Sequence, residues 1–137
     1  ICLQKRVGKE YMKKVILIAD DSSTMRKFVS FSLKMKDFEV IAAEDGMDAL
    51  EKLSQTHVDL AIVDLNMPNM DGFELIETIR ASQDYNELPV IILSSERGEE
   101  TIARGKAVGA NSYIIKPFDA KMVQYQVSKY LGTGDDE

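Results

Sequence analysis

Cysteine, tryptophan and long apolar runs are scarce or missing in this chain, and each shortage excludes something. Its 137 residues hold a single cysteine, Cys2, so no intramolecular disulfide can form and a reducing, cytoplasmic setting is expected. With one cysteine and one histidine, His57, there is no soft-ligand cluster of the kind zinc prefers. No apolar stretch approaches the roughly 20 residues that cross a bilayer, and the longest, such as Val15 to Ala19, are the size of a strand. No membrane span is therefore expected. Basic residues are outnumbered 17 to 23, a formal net charge of -6. Such a surface repels a phosphate backbone, so cations and basic partners suit it better than nucleic acid.

What the chain does have is apolar content, 45% of its residues, enough to close one core in a chain of this length. Residues 1–13 read as an N-terminal extension or remnant, since their first eleven show neither strand nor helix period, and residues 132–137 read as a solvated tail. From Val15 onward, short continuous apolar runs alternate with segments of helical period, the pattern of a parallel sheet covered on both faces. The expected strands are Val15 to Ala19, Glu39 to Ala43, Leu60 to Val63, Val90 to Leu93 and Ser112 to Ile115. Between them Met25, Phe28, Val29 and Leu33, then Met47, Leu50 and Leu53, then Phe73, Ile76 and Ile79 recur at helical spacing and are expected to pack inward, the methionines as core filler. Asp45, Asp71 and Asp119 are placed to cap helices, with Glu74 completing a capping box with Asp71, and Gly109 suits a helix C-terminus. The last helix is expected over about Ala120 to Leu131. Five such units make a doubly wound α/β sheet rather than a closed barrel, which needs eight, and in an open sheet ligands bind beyond the carboxyl ends of the strands.

The residues following those strand ends are Asp20 and Asp21, Asp64, Ser94 and Ser95, and Lys116 with Pro117. Taken singly, each has an ordinary explanation as a cap or a solvated charge. Together they bring three carboxylates, a hydroxyl and an ammonium to one edge. Carboxylates so gathered hold protons unless a cation neutralises them. Oxygen ligands alone select a hard ion, and Mg²⁺ fits best, with Mn²⁺ expected to substitute. An ionised carboxylate is also a competent nucleophile toward phosphorus when a metal and a lysine neutralise the equatorial oxygens.

Four stretches, Asp20-Asp-Ser-Ser-Thr-Met-Arg-Lys27, Glu44-Asp-Gly-Met-Asp-Ala-Leu50, Asp64-Leu-Asn-Met-Pro-Asn-Met-Asp-Gly72 and Lys116-Pro-Phe118, resemble the receiver domains of two-component response regulators. The chain is similar in particular to the single-domain, CheY-like chemotaxis type. The resemblance spans residues 14–131 and implies a (βα)5 sheet in the order 2-1-3-4-5. It implies Asp64 as phosphoacceptor, with Asp21, Asp64 and the Asn66 carbonyl holding Mg²⁺ directly and Asp20 acting through water. It further implies that Lys116 contacts the phosphoryl oxygens, that Ser94 and Tyr113 form the switch, that Lys116-Pro117 is a cis peptide bond, and that Asn66 and Glu96 tune hydrolysis. The output face implied is the fourth helix, fifth strand and fifth helix, with Arg97, Ile102, Lys106, Tyr113, Ile115, Lys121 and Gln124 as contacts. The partners implied are a sensor histidine kinase or phosphotransfer domain and a downstream protein such as a flagellar-motor switch protein, with the chain a monomer or weak dimer. Leu65 departs from the tryptophan that chemotaxis members often carry after the acceptor. Two other classes compete: an aspartate-nucleophile phosphatase, disfavoured because Asn66 stands where its general acid belongs, and a flavodoxin-like FMN carrier, disfavoured by aspartates in its phosphate loop. His57 is expected to be a surface or packing residue.

Overall fold

The structure, a computed structural model, describes residues 13–132; the proposed extension and tail otherwise lie outside the described residues. Five strands, β1 (Val15–Ala19), β2 (Glu39–Ala43), β3 (Leu60–Val63), β4 (Val90–Ser94) and β5 (Ser112–Ile115), alternate with α1 (Ser23–Lys34), α2 (Gly46–Gln55), α3 (Gly72–Ala81), α4 (Glu99–Val108) and α5 (Ala120–Leu131). All strand pairs are parallel, in the order β2-β1-β3-β4-β5. The strand bounds are those expected from the apolar runs, except that β4 extends through Ser94.

The central strands are buried on both faces, which is why they read as continuous rather than alternating apolar runs. One core, with α2, α3 and α4 over the sheet, gathers Leu17, Ala61, Val63, Ile76 and Ile92. The other gathers Ile16, Ile18, Val29, Leu33, Ile62, Val123 and Val127 beneath α1 and α5. Alternate residues along each strand go to opposite cores, as the two-residue period of a strand requires.

The helix starts follow their caps. Asp45, Asp71 and Asp119 each accept a backbone N–H from the residue three further on, and Asp71 with Glu74 forms a complete capping box. Gly109 ends α4 at φ 117°, a left-handed conformation that glycine adopts without steric cost. Met25 packs, partly buried, against the core beneath α1 as expected, but the expectation fails for Met47 and Phe28. Met47 is exposed, as are Met35 and Met122, and Phe28 is exposed too, its ring in an edge-to-face pair with Phe118. These side chains stand off the buried stripes, so Val29 and Leu33 on α1, and Ala49 and Leu53 on α2, supply the burial instead.

Candidate functional site at the carboxyl edge

Four strand ends converge because parallel strands all finish on the same side of the sheet. Asp20 follows β1 and is fully buried; its backbone N–H bonds the Ala43 carbonyl and its Oδ1 accepts from the Ser22 N–H at 2.9 Å. Ser22 itself caps α1, accepting from Met25 N at 3.2 Å. The acidic pair is therefore not occupied as a helix cap. Asp64 follows β3, is 5% exposed, and its N–H is held by the Ala19 carbonyl at 2.9 Å. Asp21 is exposed at the rim.

One carboxylate oxygen from each of Asp20, Asp21 and Asp64 lies within 4.8 Å of the other two. Lys116 Nζ reaches between two of them, 3.4 Å from Asp20 Oδ2 and 3.7 Å from Asp64 Oδ1. Burial pushes the Asp64 carboxyl up to about 6, Asp20 beside it adds to the rise, and Lys116 and the Asn66 N–H oppose it. One ammonium among three acids leaves an excess of negative charge that a cation would relieve. The donor set fits a hard divalent ion, with only oxygens gathered and one edge open to water.

Lys116 is joined to Pro117 by a cis peptide bond, and the Lys116 N–H bonds the Ser94 carbonyl at 2.9 Å. Ser94 is fully buried and its hydroxyl accepts from the Glu96 N–H at 3.1 Å. Tyr113 is half-buried, with its hydroxyl donating to the Glu96 carbonyl at 2.8 Å. Burial raises the Tyr113 phenol, while the neighbouring Ser94 opposes the rise. Ser94 and Tyr113 thus both engage the backbone of Glu96. Across the mouth, Asn66 Nδ2 donates to Glu96 Oε2 at 3.5 Å, so the two residues expected to flank the path of attacking water meet each other.

Of the expected output residues, Arg97, Lys106 and Lys121 are exposed, and Ile102 and Ile115 are partly so. Arg97 donates to the Lys116 carbonyl at 3.2 Å. Gln124 does not belong to that face. It is buried, and its Nε2 donates to the Ser32 carbonyl of α1 at 2.7 Å. On the same helix Gln126 bonds β5, accepting from the Ser112 hydroxyl at 2.9 Å. Gln124 lies one step of helical rotation from the buried Val123, and sequence spacing alone does not separate it from the solvent face. His57 is at the opposite end of the sheet, exposed and 2.8 Å from Asp59 Oδ1. An open groove there, lined by His57, Asp59, Tyr85 and Pro89 among others, contains no member of the acidic constellation.

Residues that the sequence reading left out also shape the site. Arg26 donates to the Asp20 carbonyl at 2.7 Å, and Asn69 in the loop after β3 donates to Asp45 at 2.7 Å. The φ of 68° at Asn69 is compatible with a residue type that tolerates the left-handed region, but nothing in its position along the chain indicates the partner.

A family model for the response regulator receiver domain matches residues 16–128. A chemotaxis protein CheY homolog of Campylobacter jejuni is 36% identical over 124 residues, which cover 89% of this chain and 95% of that protein. Among solved structures, chemotaxis protein CheY4 of Vibrio cholerae superposes with a TM-score of 0.82 at 35% identity, covering 86% of this chain and 98% of that one. The Mn²⁺-bound form of response regulator Rcp1 superposes with a TM-score of 0.78 at 31% identity, covering 88% and 96%. No described helix is long and apolar enough to cross a membrane. The matched span, the order of the strands and the acidic edge agree, and the chain belongs to the response regulator receiver domain family, as a receiver of the CheY type.

Proposed function

We propose that Asp64 accepts a phosphoryl group from a sensor histidine kinase or phosphotransfer domain in the cytoplasm and that the resulting acyl phosphate switches the binding of a downstream protein. The observation that carries this reading is the burial of Asp64 at the carboxyl edge with Asp20, Asp21 and Lys116 converging on it. The protein acts as a switch with self-phosphotransfer and self-hydrolysis, not as an enzyme turning over a free substrate.

In the transfer, an ionised oxygen of Asp64 attacks phosphorus in line. A P–O bond forms as the P–N bond to the donor histidine breaks, with the electron pair left on the ring nitrogen. Lys116 is close enough to neutralise charge on the equatorial oxygens of a loose transition state. Asp21, Asp64 and the Asn66 carbonyl would hold Mg²⁺, with Asp20 behind them, and the ion when bound would supply further charge neutralisation and orientation. Burial and neighbouring acids raise Asp64 only to about 6, so the nucleophile is still mostly ionised at neutral pH.

The output follows from the fourth strand. A phosphoryl oxygen on Asp64 would accept from the Ser94 hydroxyl, and a hydrogen bond to such a charged group contributes about 1.5 to 3 kcal/mol. That shifts a two-state ratio by roughly ten- to a hundredfold without a new fold. Tyr113, which shares the Glu96 backbone with Ser94, passes the shift to α4, β5 and α5. The basic residues Arg97, Lys106 and Lys121 on that face suit an acidic peptide, as from a flagellar-motor switch protein, in keeping with the chemotaxis names of its relatives. Incubation with acetyl phosphate and Mg²⁺, followed by intact mass, tests the reading. One added phosphoryl group is expected, lost when Mg²⁺ is omitted. No gain under any metal condition would overturn it.

A further inference from the structure

The loop from Asn66 to Asp71 carries the backbone expected to meet the cation, and it is fastened at two places. At its far end Gly72 N–H bonds the Leu65 carbonyl at 3.0 Å. At its crest, Asn69, held at φ 68°, donates its side-chain amide to Asp45 Oδ2 at 2.7 Å. Asp45 Oδ1 meanwhile accepts from Asp48 N–H at 2.8 Å and caps α2. The next residue of the crest presses on the same helix start: a Cβ on Gly46 would stand 2.7 Å from both the Met70 carbonyl oxygen and its Cγ. The end of β2, just before the turn into α2, also reaches the other half of the site, because the Ala43 carbonyl accepts the Asp20 N–H at 3.1 Å. The start of α2 therefore touches the segment bearing Asn66 and follows directly on the strand end that holds Asp20, while contributing no carboxylate to the acidic cluster itself.

We infer that the Asp45–Asn69 hydrogen bond is a clasp that positions the loop after β3, and that through it the N-terminus of α2 determines how tightly the acidic site holds its cation. The inference rests on the metal-assisted phosphoacceptor reading above. Asp45 and Asn69 are positioning residues; neither touches the reacting atoms. One Asp45 oxygen holds the helix and the other holds the loop, so the two are set relative to each other by a single carboxylate. Interactions that orient metal ligands from outside typically contribute 10- to 100-fold in affinity.

The test uses charge to separate positioning from simple electrostatics. Asn69→Asp faces Asp45 with a second carboxylate and opens the clasp, while adding a negative charge near the site. Electrostatics alone would then tighten cation binding; loss of positioning weakens it. Mg²⁺ affinity, measured by calorimetric titration of the full chain, is expected to fall about tenfold in N69D. The exchanged pair D45N/N69D rebuilds both the hydrogen bond and the net charge and should return affinity to within twofold or so of wild type. Phosphorylation by acetyl phosphate should be slow in N69D at low Mg²⁺ and recover at saturation. If N69D does not fold, N69G keeps the left-handed backbone, removes only the amide, and should show the same weakening. Unchanged or tighter Mg²⁺ binding in N69D or N69G, or no recovery in the exchanged pair, overturns the clasp. A wild-type chain that binds Mg²⁺ but takes no phosphoryl group would overturn the functional reading and leave the affinity comparison standing.

Discussion

Gly72 starts α3 directly against the backbone of Asp64: a Cβ at position 72 would stand 2.5 Å from the Asp64 carbonyl oxygen and 2.8 Å from the Leu65 Cα. Helix α3 thus braces the proposed nucleophile from behind. Gly72→Ala should force the strand end and helix apart, costing about 1 to 3 kcal/mol and slowing phosphorylation of Asp64 at saturating Mg²⁺. Denaturant unfolding and acetyl phosphate kinetics check both; wild-type values for each would mean that the contact is not a brace.

Asp64 also imposes a pH dependence on stability. Its folded carboxyl titrates near 6 rather than at the ordinary 3.8, so between those values the folded state binds more protons than the unfolded one. Stability from this group therefore falls as pH rises from about 4 to about 6 and stays low above that. Asp64→Asn should stabilise the metal-free protein at pH 7.5 by up to about 3 kcal/mol and make little difference near pH 4. Urea midpoints at the two pH values measure it. A stabilisation that is equal at both would show that burial of the charge is not its cause.

Lys116 lies 3.7 Å from Asp64 Oδ1 and opposes the rise in its pKa. Lys116→Ala should slow phosphotransfer by about a hundredfold or more, as loss of a charge-stabilising group does, and move the acid limb of the rate profile to higher pH. Mg²⁺ affinity should not weaken. A variant that loses metal binding in step with its rate would assign Lys116 to holding the acids in place.

Gln124 is expected to matter for stability rather than output. Its amide serves the Ser32 carbonyl in the last part of α1 from across the helix pair. Gln124→Ala leaves that buried acceptor unserved and should cost about 1 to 3 kcal/mol. Binding of the downstream peptide should be unchanged at equal folded concentration, whereas Lys106→Ala should weaken it. Weakened binding in the Gln124 variant alone would return that residue to the output face.

Much of this was legible before the structure, for a physical reason. Buried parallel strands announce themselves as short apolar runs, and parallel strands deliver whatever follows them to one edge, so Asp20, Asp64, Ser94 and Lys116 could be placed together from spacing. The strand order came from the family resemblance, since alternating units do not specify which strands are neighbours. Side-chain direction was less accessible. Gln124 sits beside the buried Val123 on α5 and turns toward α1, and Met47 lies on α2 but stands in solvent. The clasp between Asp45 and Asn69 joins residues far apart in sequence; each reads alone as a cap or a turn residue.

The claim at the centre is that Asp64 is the residue that carries the phosphoryl group. After phosphorylation with acetyl phosphate and Mg²⁺, borohydride reduces an acyl phosphate of aspartate to homoserine, and peptide sequencing by tandem mass spectrometry locates the change. The account predicts homoserine at position 64 and at no other aspartate. Homoserine at Asp20 or Asp21, or a phosphoryl group that resists reduction and maps elsewhere, would contradict it.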